Sequence, residues 1–211
     1  MSRPRRHFEI LDRRRLHEGF YRFEILRLRH ERFAGGWTPP LVRERLLQPD
    51  AVAVLPYDPV RDVVVLIEQF RVGALEAPEG PWLLEAVAGI VEPGETPEQV
   101  ARRELREETG LEAGRLLHVG AYRSSPGGTS ERVEVFVAEV AAPAEPGVFG
   151  RDDEQEDIRT VPMPAEEAFA RRRRGEIVAA TAVVPLLHLE ARRARLRRQW
   201  ADGGQEGSGG G

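Results

Sequence analysis

Hydrophobic and polar positions alternate from the start of the chain. Between residues 8 and 47, apolar and charged side chains change places every one or two positions, as in Phe23-Glu24-Ile25 and Leu26-Arg27-Leu28, until Gly35-Gly36 interrupts them. Period-two alternation with a glycine break predicts hairpins in a small antiparallel sheet. Residues 51–56 and 63–70 are apolar runs separated by the turn sequence Tyr57-Asp58-Pro59, so two buried strands are expected there. Residues 82–88 form another apolar run. Residues 133–140 alternate partly and end in a Pro/Gly-rich loop, and 158–163 predict a shorter strand.

The period changes at residues 96–110. Thr96 is suited to an N-cap, Pro97 to the first helical position, Gln99 completes a capping box, and Gly110 is a natural stop. A helix of about three turns follows from that length, with Val100, Ala101 and Leu105 on its buried face. Residues 165–174 predict a second helix. Residues 178–200 predict a third, in which Pro185 either kinks the helix or marks a late start. Residues 203–211 are Gly-rich and expected to be disordered. Mixed strands with interspersed helices point to an α+β fold: an α/β/α sandwich with a mixed β-sheet, preceded by a small antiparallel N-terminal sheet. The expected organisation is N-terminal strands over 1–48, one main domain over 49–200, and a tail over 201–211.

Composition narrows the function. A chain of 211 residues that is 41% hydrophobic can build one core, and 31% charged residues with a net charge of −4 give no pull toward nucleic acid or an anionic membrane. Every basic residue is Arg, which reads as a compositional habit. The Arg-rich stretches 171–174 and 192–198 are interleaved with Glu and Ala, and a solvated helix face explains them better than a nucleic-acid surface. The absence of cysteine excludes disulfides, zinc–thiolate sites and a thiol nucleophile. The basic N-terminus lacks a following apolar segment, and no apolar run approaches membrane-span length, so a cytoplasmic, soluble protein is expected.

The acids of the first helix are placed against its stability. Glu104 and Glu108 share one face, and Glu107 and Glu108 occupy the last turn, at the negative end of the helix dipole. Two carboxylates about 4 Å apart repel by roughly 4 kcal/mol at an effective dielectric near 20. A divalent cation would reverse that sign, and hard oxygen ligands suit Mg²⁺ or Mn²⁺. A solvated acidic face would explain Glu104 and Glu108 alone equally well. The wider pattern does not leave them alone. Gly89, Glu95, Arg103, Glu104, Leu105, Glu107, Glu108, Gly110 and Leu111 fill all the fixed positions of G-x5-E-x7-R-E-U-x-E-E-x-G-U, where U is aliphatic.

That spacing is the Nudix box, and the chain resembles the Nudix hydrolases, in particular the bacterial ADP-ribose pyrophosphatase subfamily. The likeness runs from about residue 18 to about residue 200. Besides the box, the segments Leu66-Ile67-Glu68-Gln69-Phe70-Arg71, Ser125-Pro126-Gly127-Gly128-Thr129-Ser130-Glu131 and Glu154-Gln155-Glu156-Asp157-Ile158 carry it, with Pro126 at the position past the box that marks the ADP-ribose enzymes. The resemblance implies a mixed-sheet sandwich and hydrolysis of ADP-ribose to AMP and ribose 5-phosphate, with two or three Mg²⁺ ions per active site. It implies metal ligation by Glu104, Glu108, Glu156 and the Ala88 carbonyl, with Glu154 as catalytic base. Arg103 would pair with Glu107 to hold the acidic face. Substrate contacts would come from Arg71, Ile90, Ser125 and Glu131. Phe20 and Tyr21 would stack on the adenine, and Arg43 and Glu44 would reach it from a partner chain in a homodimer that exchanges N-terminal segments. Without the resemblance, Phe20 and Tyr21 could be core residues and Arg71 a surface cation. The alternatives are a pyrophosphatase for another nucleotide sugar such as GDP-mannose, and a non-catalytic ADP-ribose sensor that regulates transcription. The intact box, and the little chain left for a DNA-binding domain, disfavour the sensor.

Overall fold

The computed structural model describes residues 6–151, 153 and 155–201. Glu154 and the glycine-rich tail lie outside the described residues. The chain divides into two compact units, one drawn from residues 1–50 and 123–132, the other from 51–122 and 133–211.

The first unit is an antiparallel sheet in the order β1 (Phe8–Glu18), β2 (Arg22–His30), β3 (Leu41–Leu47). It is the small sheet that the alternation predicts. Only the central strand buries side chains deeply, namely Glu24 and Leu26, and Glu24 is neutralised by Arg45, whose Nε lies 2.8 Å away. The 123–132 loop is sewn to β3. Leu46 N–H donates to the Gly128 carbonyl (2.8 Å), Ser130 N–H to the Leu46 carbonyl (3.0 Å), and the Ser130 hydroxyl bridges to Gln48.

The second unit is built on an eight-stranded sheet. Its strands are β4 (Ala51–Asp58), β5 (Val63–Phe70), β6 (Trp82–Glu85), β7 (Val87–Ile90), β8 (Leu116–Tyr122), β9 (Val133–Glu139), β10 (Val148–Phe149) and β11 (Ile158–Pro164). The main order is β10-β11-β5-β4-β9-β8, and β4–β9 is a parallel pair among antiparallel ones, so the sheet is mixed. β4 and β5 pair only at Tyr57–Val64 and Asp58–Val63. Past that point β6 continues on β5 and β7 on β4, so the single apolar run at 82–88 becomes two strands with different partners.

Both faces of the central strands are buried, which is why they read as nearly continuous apolar runs. On one face Val52, Val54, Ile67, Phe136 and Ala138 pack against Val100, Ala101 and Leu105 of helix α1 (Pro97–Thr109). On the other, Leu55, Tyr57, Leu66 and Val137 pack against Phe169 of α2 (Ala165–Arg173) and Ala182, Leu186 and Leu189 of α3 (Ala180–Ala201). Each fully buried Val, Leu, Ile or Phe among them stabilises the fold by about 1.5–3 kcal/mol. The second unit is therefore the α/β/α sandwich expected from the sequence. Helix α3 runs through Pro185, which lies in its second turn and removes one main-chain hydrogen bond there. Among the described residues, no helix is long and apolar enough to cross a membrane.

Candidate active site

Helix α1 is set by its ends. The Thr96 side chain accepts from Gln99 N–H, the Gln99 side chain accepts from Thr96 N–H at 2.8 Å, and Gly110 closes the helix in the left-handed conformation (φ 68°). Burying Val100, Ala101 and Leu105 against the sheet turns the acidic face of α1 toward β7. There a Cβ built on Gly89 would fall 1.7 Å from Glu104 Oε1, so any larger residue would displace the Glu104 side chain. Glycine thus lets the Glu104 carboxylate lie directly against the β7 backbone. Glu108 is 2% exposed and accepts a hydrogen bond from Ala88 N–H at 3.2 Å.

Arg103 organises this face more fully than a single i,i+4 pair. Its Nε and Nη2 grip both Glu95 oxygens (3.0 and 3.1 Å), Nη1 donates to Glu104 (2.7 Å) and Glu107 (3.2 Å), and Nη2 also donates to the Ile90 carbonyl (3.3 Å). The 90–95 loop is thereby tied to the helix. The Arg103 hydrogen bonds hold the Glu95 carboxyl below the usual carboxylate range. Burial pushes Glu104 up despite Arg103. Burial, reinforced by the Glu104 charge, pushes Glu108 well above the ordinary carboxylate value. Glu156, whose Oε2 accepts from Arg151 N–H at 3.2 Å, adds its charge to both.

Arg71, at the end of β5, is held by a residue that sequence reasoning missed. Its Nε and Nη2 donate to the two oxygens of Glu85 at 3.1 and 2.7 Å. Glu85 lies inside the apolar run 82–88, and a charge at a buried strand position was the signal available. The other omission is Glu95, recognised as part of the motif but not as the chief partner of Arg103.

The remaining expected substrate residues belong to the first unit. Phe20 and Tyr21 sit in the β1–β2 turn with their rings edge to face, centroids 4.8 Å apart, and Phe20 is 74% exposed, so they are not core. Arg43 and Glu44 are exposed neighbours on β3, opposite Leu26 and Ile25. The exposed Ser125 accepts through its carbonyl from Gly128 and Thr129 N–H, and Glu131 is half-buried in the same loop.

The donors on the acidic face suit a hard divalent cation. Glu108 is a deeply buried carboxylate with one protein donor, and Glu104 is pressed against the same backbone with no room for a Cβ between. Among the described residues, no three acidic or histidine side chains are gathered closely enough to cage an ion by themselves.

A family model described as NUDIX domain matches residues 47–182. The chain belongs to the Nudix family. Along nearly its whole length it is similar to the ADP-ribose pyrophosphatase of Escherichia coli strain K12, 44% identical over 193 residues, 92% of each chain. The ADP-ribose pyrophosphatase of Haemophilus influenzae is 40% identical over 195 residues, covering 91% of this chain and 90% of its own. The GDP-mannose pyrophosphatase of Cronobacter sakazakii is 38% identical over a shorter 145 residues, 68% of this chain and 74% of its own. The crystal structure of an ADP compounds hydrolase shares the fold, with a TM-score of 0.69, 23% identity, and coverage of 93% of this chain and all of that one. The Nudix helix is therefore α1, and Gly89, Arg103 and Glu95 are the residues that seat it.

Proposed function

We propose that this Nudix hydrolase cleaves the pyrophosphate of ADP-ribose, giving AMP and ribose 5-phosphate, as a cytoplasmic homodimer. The observation that carries the reading is the buried Glu108 beside Glu104 on the Nudix helix, an arrangement that calls for cations, in a chain 44% identical over 92% of its length to an ADP-ribose pyrophosphatase. Glu104, Glu108, Glu156 and the Ala88 carbonyl would hold two or three Mg²⁺ ions, with Mn²⁺ able to replace them. Such ions, when bound, acidify a water and neutralise the diphosphate. Glu154 would take the proton of the attacking water as oxygen adds to one phosphorus and the bridging P–O bond breaks. Arg103, with Glu95 and Glu107, holds the carboxylates in place. Arg71, Ile90, Ser125 and Glu131 would contact the phosphates and the terminal ribose. Phe20 and Tyr21, both exposed, are free to stack on adenine, and Arg43 and Glu44 would approach it from the partner subunit.

A panel of nucleotide sugars with Mg²⁺ and product identification tests this. ADP-ribose should give the highest kcat/KM, with AMP and ribose 5-phosphate as products. A preference for GDP-mannose would reassign the substrate, and tight binding of ADP-ribose without turnover would make the protein a sensor.

A further inference from the structure

The Arg71–Glu85 pair is built unequally. The Glu85 side chain is 6% exposed while that of Arg71 is 41% exposed, so a buried carboxylate reaches out to a cation at the surface of the site. Such pairs add little net stability, because desolvation offsets the attraction, and a well-packed apolar residue would serve a strand at least as well. The register partner of Glu85 is Ile67, fully buried and apolar. Stability therefore does not account for Glu85, but geometry does. The carboxylate takes the Nε and Nη2 edge of Arg71 and so fixes the guanidinium plane. Arg71 Nη1 makes no hydrogen bond among the described residues. The same guanidinium lies in the field of Glu108 and Glu156.

We propose that Glu85 is a positioning residue. It holds Arg71 with its Nη1 edge open to an anionic oxygen of the substrate diphosphate. This rests on the reading of the site as a nucleoside-diphosphate hydrolase.

The test is a double-mutant cycle on the full chain with Mg²⁺: Glu85→Gln, Arg71→Ala and both together. Glutamine keeps the shape of Glu85 but replaces one acceptor with a donor, so the two-pronged grip cannot form. Glu85→Gln should lower kcat/KM about 10–100-fold, mostly through a higher KM, as expected for loss of a charge-assisted substrate contact. In the Arg71→Ala background the same change should alter kcat/KM by less than about twofold, because its effect travels through Arg71. Wild-type kcat/KM in Glu85→Gln, or losses that multiply in the double variant, would overturn the proposal. If Glu85→Gln shows no cooperative unfolding transition, Glu85→Asp enters the same cycle, with the same outcomes deciding. The wild type is assayed first on the nucleotide-sugar panel. If a different sugar is preferred, the substrate assignment fails but the cycle is run on that sugar, since every member carries the diphosphate that Arg71 would meet.

Discussion

At the scale of single residues, Glu108 concentrates the chemistry. It is buried, it sits in the last turn of α1 where the dipole disfavours an anion, and it lies in the field of Glu104 and Glu156. One backbone N–H, from Ala88, is the hydrogen bond the described residues offer in return. Arg103 relieves Glu104 and Glu107 but does not bond Glu108. An ionised Glu108 is therefore costly when no cation is bound, and under the proposed function its replacement would separate stability from activity. Glu108→Gln should raise the melting temperature of the cation-free protein by a few degrees, since about 1 kcal/mol moves a domain of this size by roughly 2–4 °C. It should also lower turnover with Mg²⁺ by about 10²-fold or more, the scale expected for losing charge stabilisation at a metal-assisted step. Thermal melts in chelator and initial rates across a Mg²⁺ titration measure both. Wild-type rates at low Mg²⁺ would remove Glu108 from the set of metal ligands.

Secondary-structure elements differ in how far the sequence revealed them, and the reason is where their information lies. Helix α1 was legible to the residue because its cap, its proline, its stop and its apolar face are local signals that agree. Strand β8 went unrecognised because it is a half-buried edge strand whose alternation is broken by a register shift between His118 and Gly120. The run at 82–88 could not announce its division, because the change from pairing with β5 to pairing with β4 is a tertiary event. Glu85 was lost within that run for the same reason. The second unit also contains a tie with no sequence signature, because its partners are more than 130 positions apart. Arg193 of α3 donates through Nε to both oxygens of Asp62 in the β4–β5 turn (2.9 and 3.0 Å), and the Tyr57 hydroxyl donates to Asp62 at 2.8 Å. Burial pushes the Asp62 carboxyl up, but the Arg193 and Tyr57 hydrogen bonds outweigh it and hold it below the ordinary value. A carboxyl depressed in the folded state stabilises above its unfolded pKa, and that stabilisation is lost as pH falls through the folded one. Asp62 has φ 59°, a conformation that asparagine also tolerates, so Asp62→Asn tests the charge without straining the turn. At pH 7 the variant should melt about 4–8 °C lower, as expected for losing charge-assisted hydrogen bonds. The gap should close below about pH 4, the range in which a free aspartate protonates. A gap that stays constant from pH 7 to pH 3 would mean that Asp62 acts through packing, not charge.

At the scale of the whole molecule, the two units are unequal in what they bury. The second has a core on both faces of its sheet, whereas Leu26 is the one buried hydrophobic side chain among the described residues of the first. Strand β1 is exposed along its entire length, and it carries Phe8, Ile10, Leu11 and Leu16 into solvent. A three-stranded sheet with so little core is marginal by itself, and an exposed apolar strand is a surface that a second protein surface normally covers. The proposed function supplies the cover: a second copy of the chain, whose Arg43 and Glu44 would complete the adenine site. The expected outcome is a homodimer by mass measurement at micromolar concentration. Phe8 and Ile10 lie opposite His30 and Leu28 on one face of the sheet, so replacing both with Asp should convert the dimer to monomer. If each site draws on both chains, that monomer should lose activity on ADP-ribose, mainly through a raised KM, while the second unit stays folded and keeps a cooperative unfolding transition. A wild-type protein that is monomeric and fully active would remove both the dimer and the shared adenine site. A dimer that survives the double Asp substitution would move the interface away from β1.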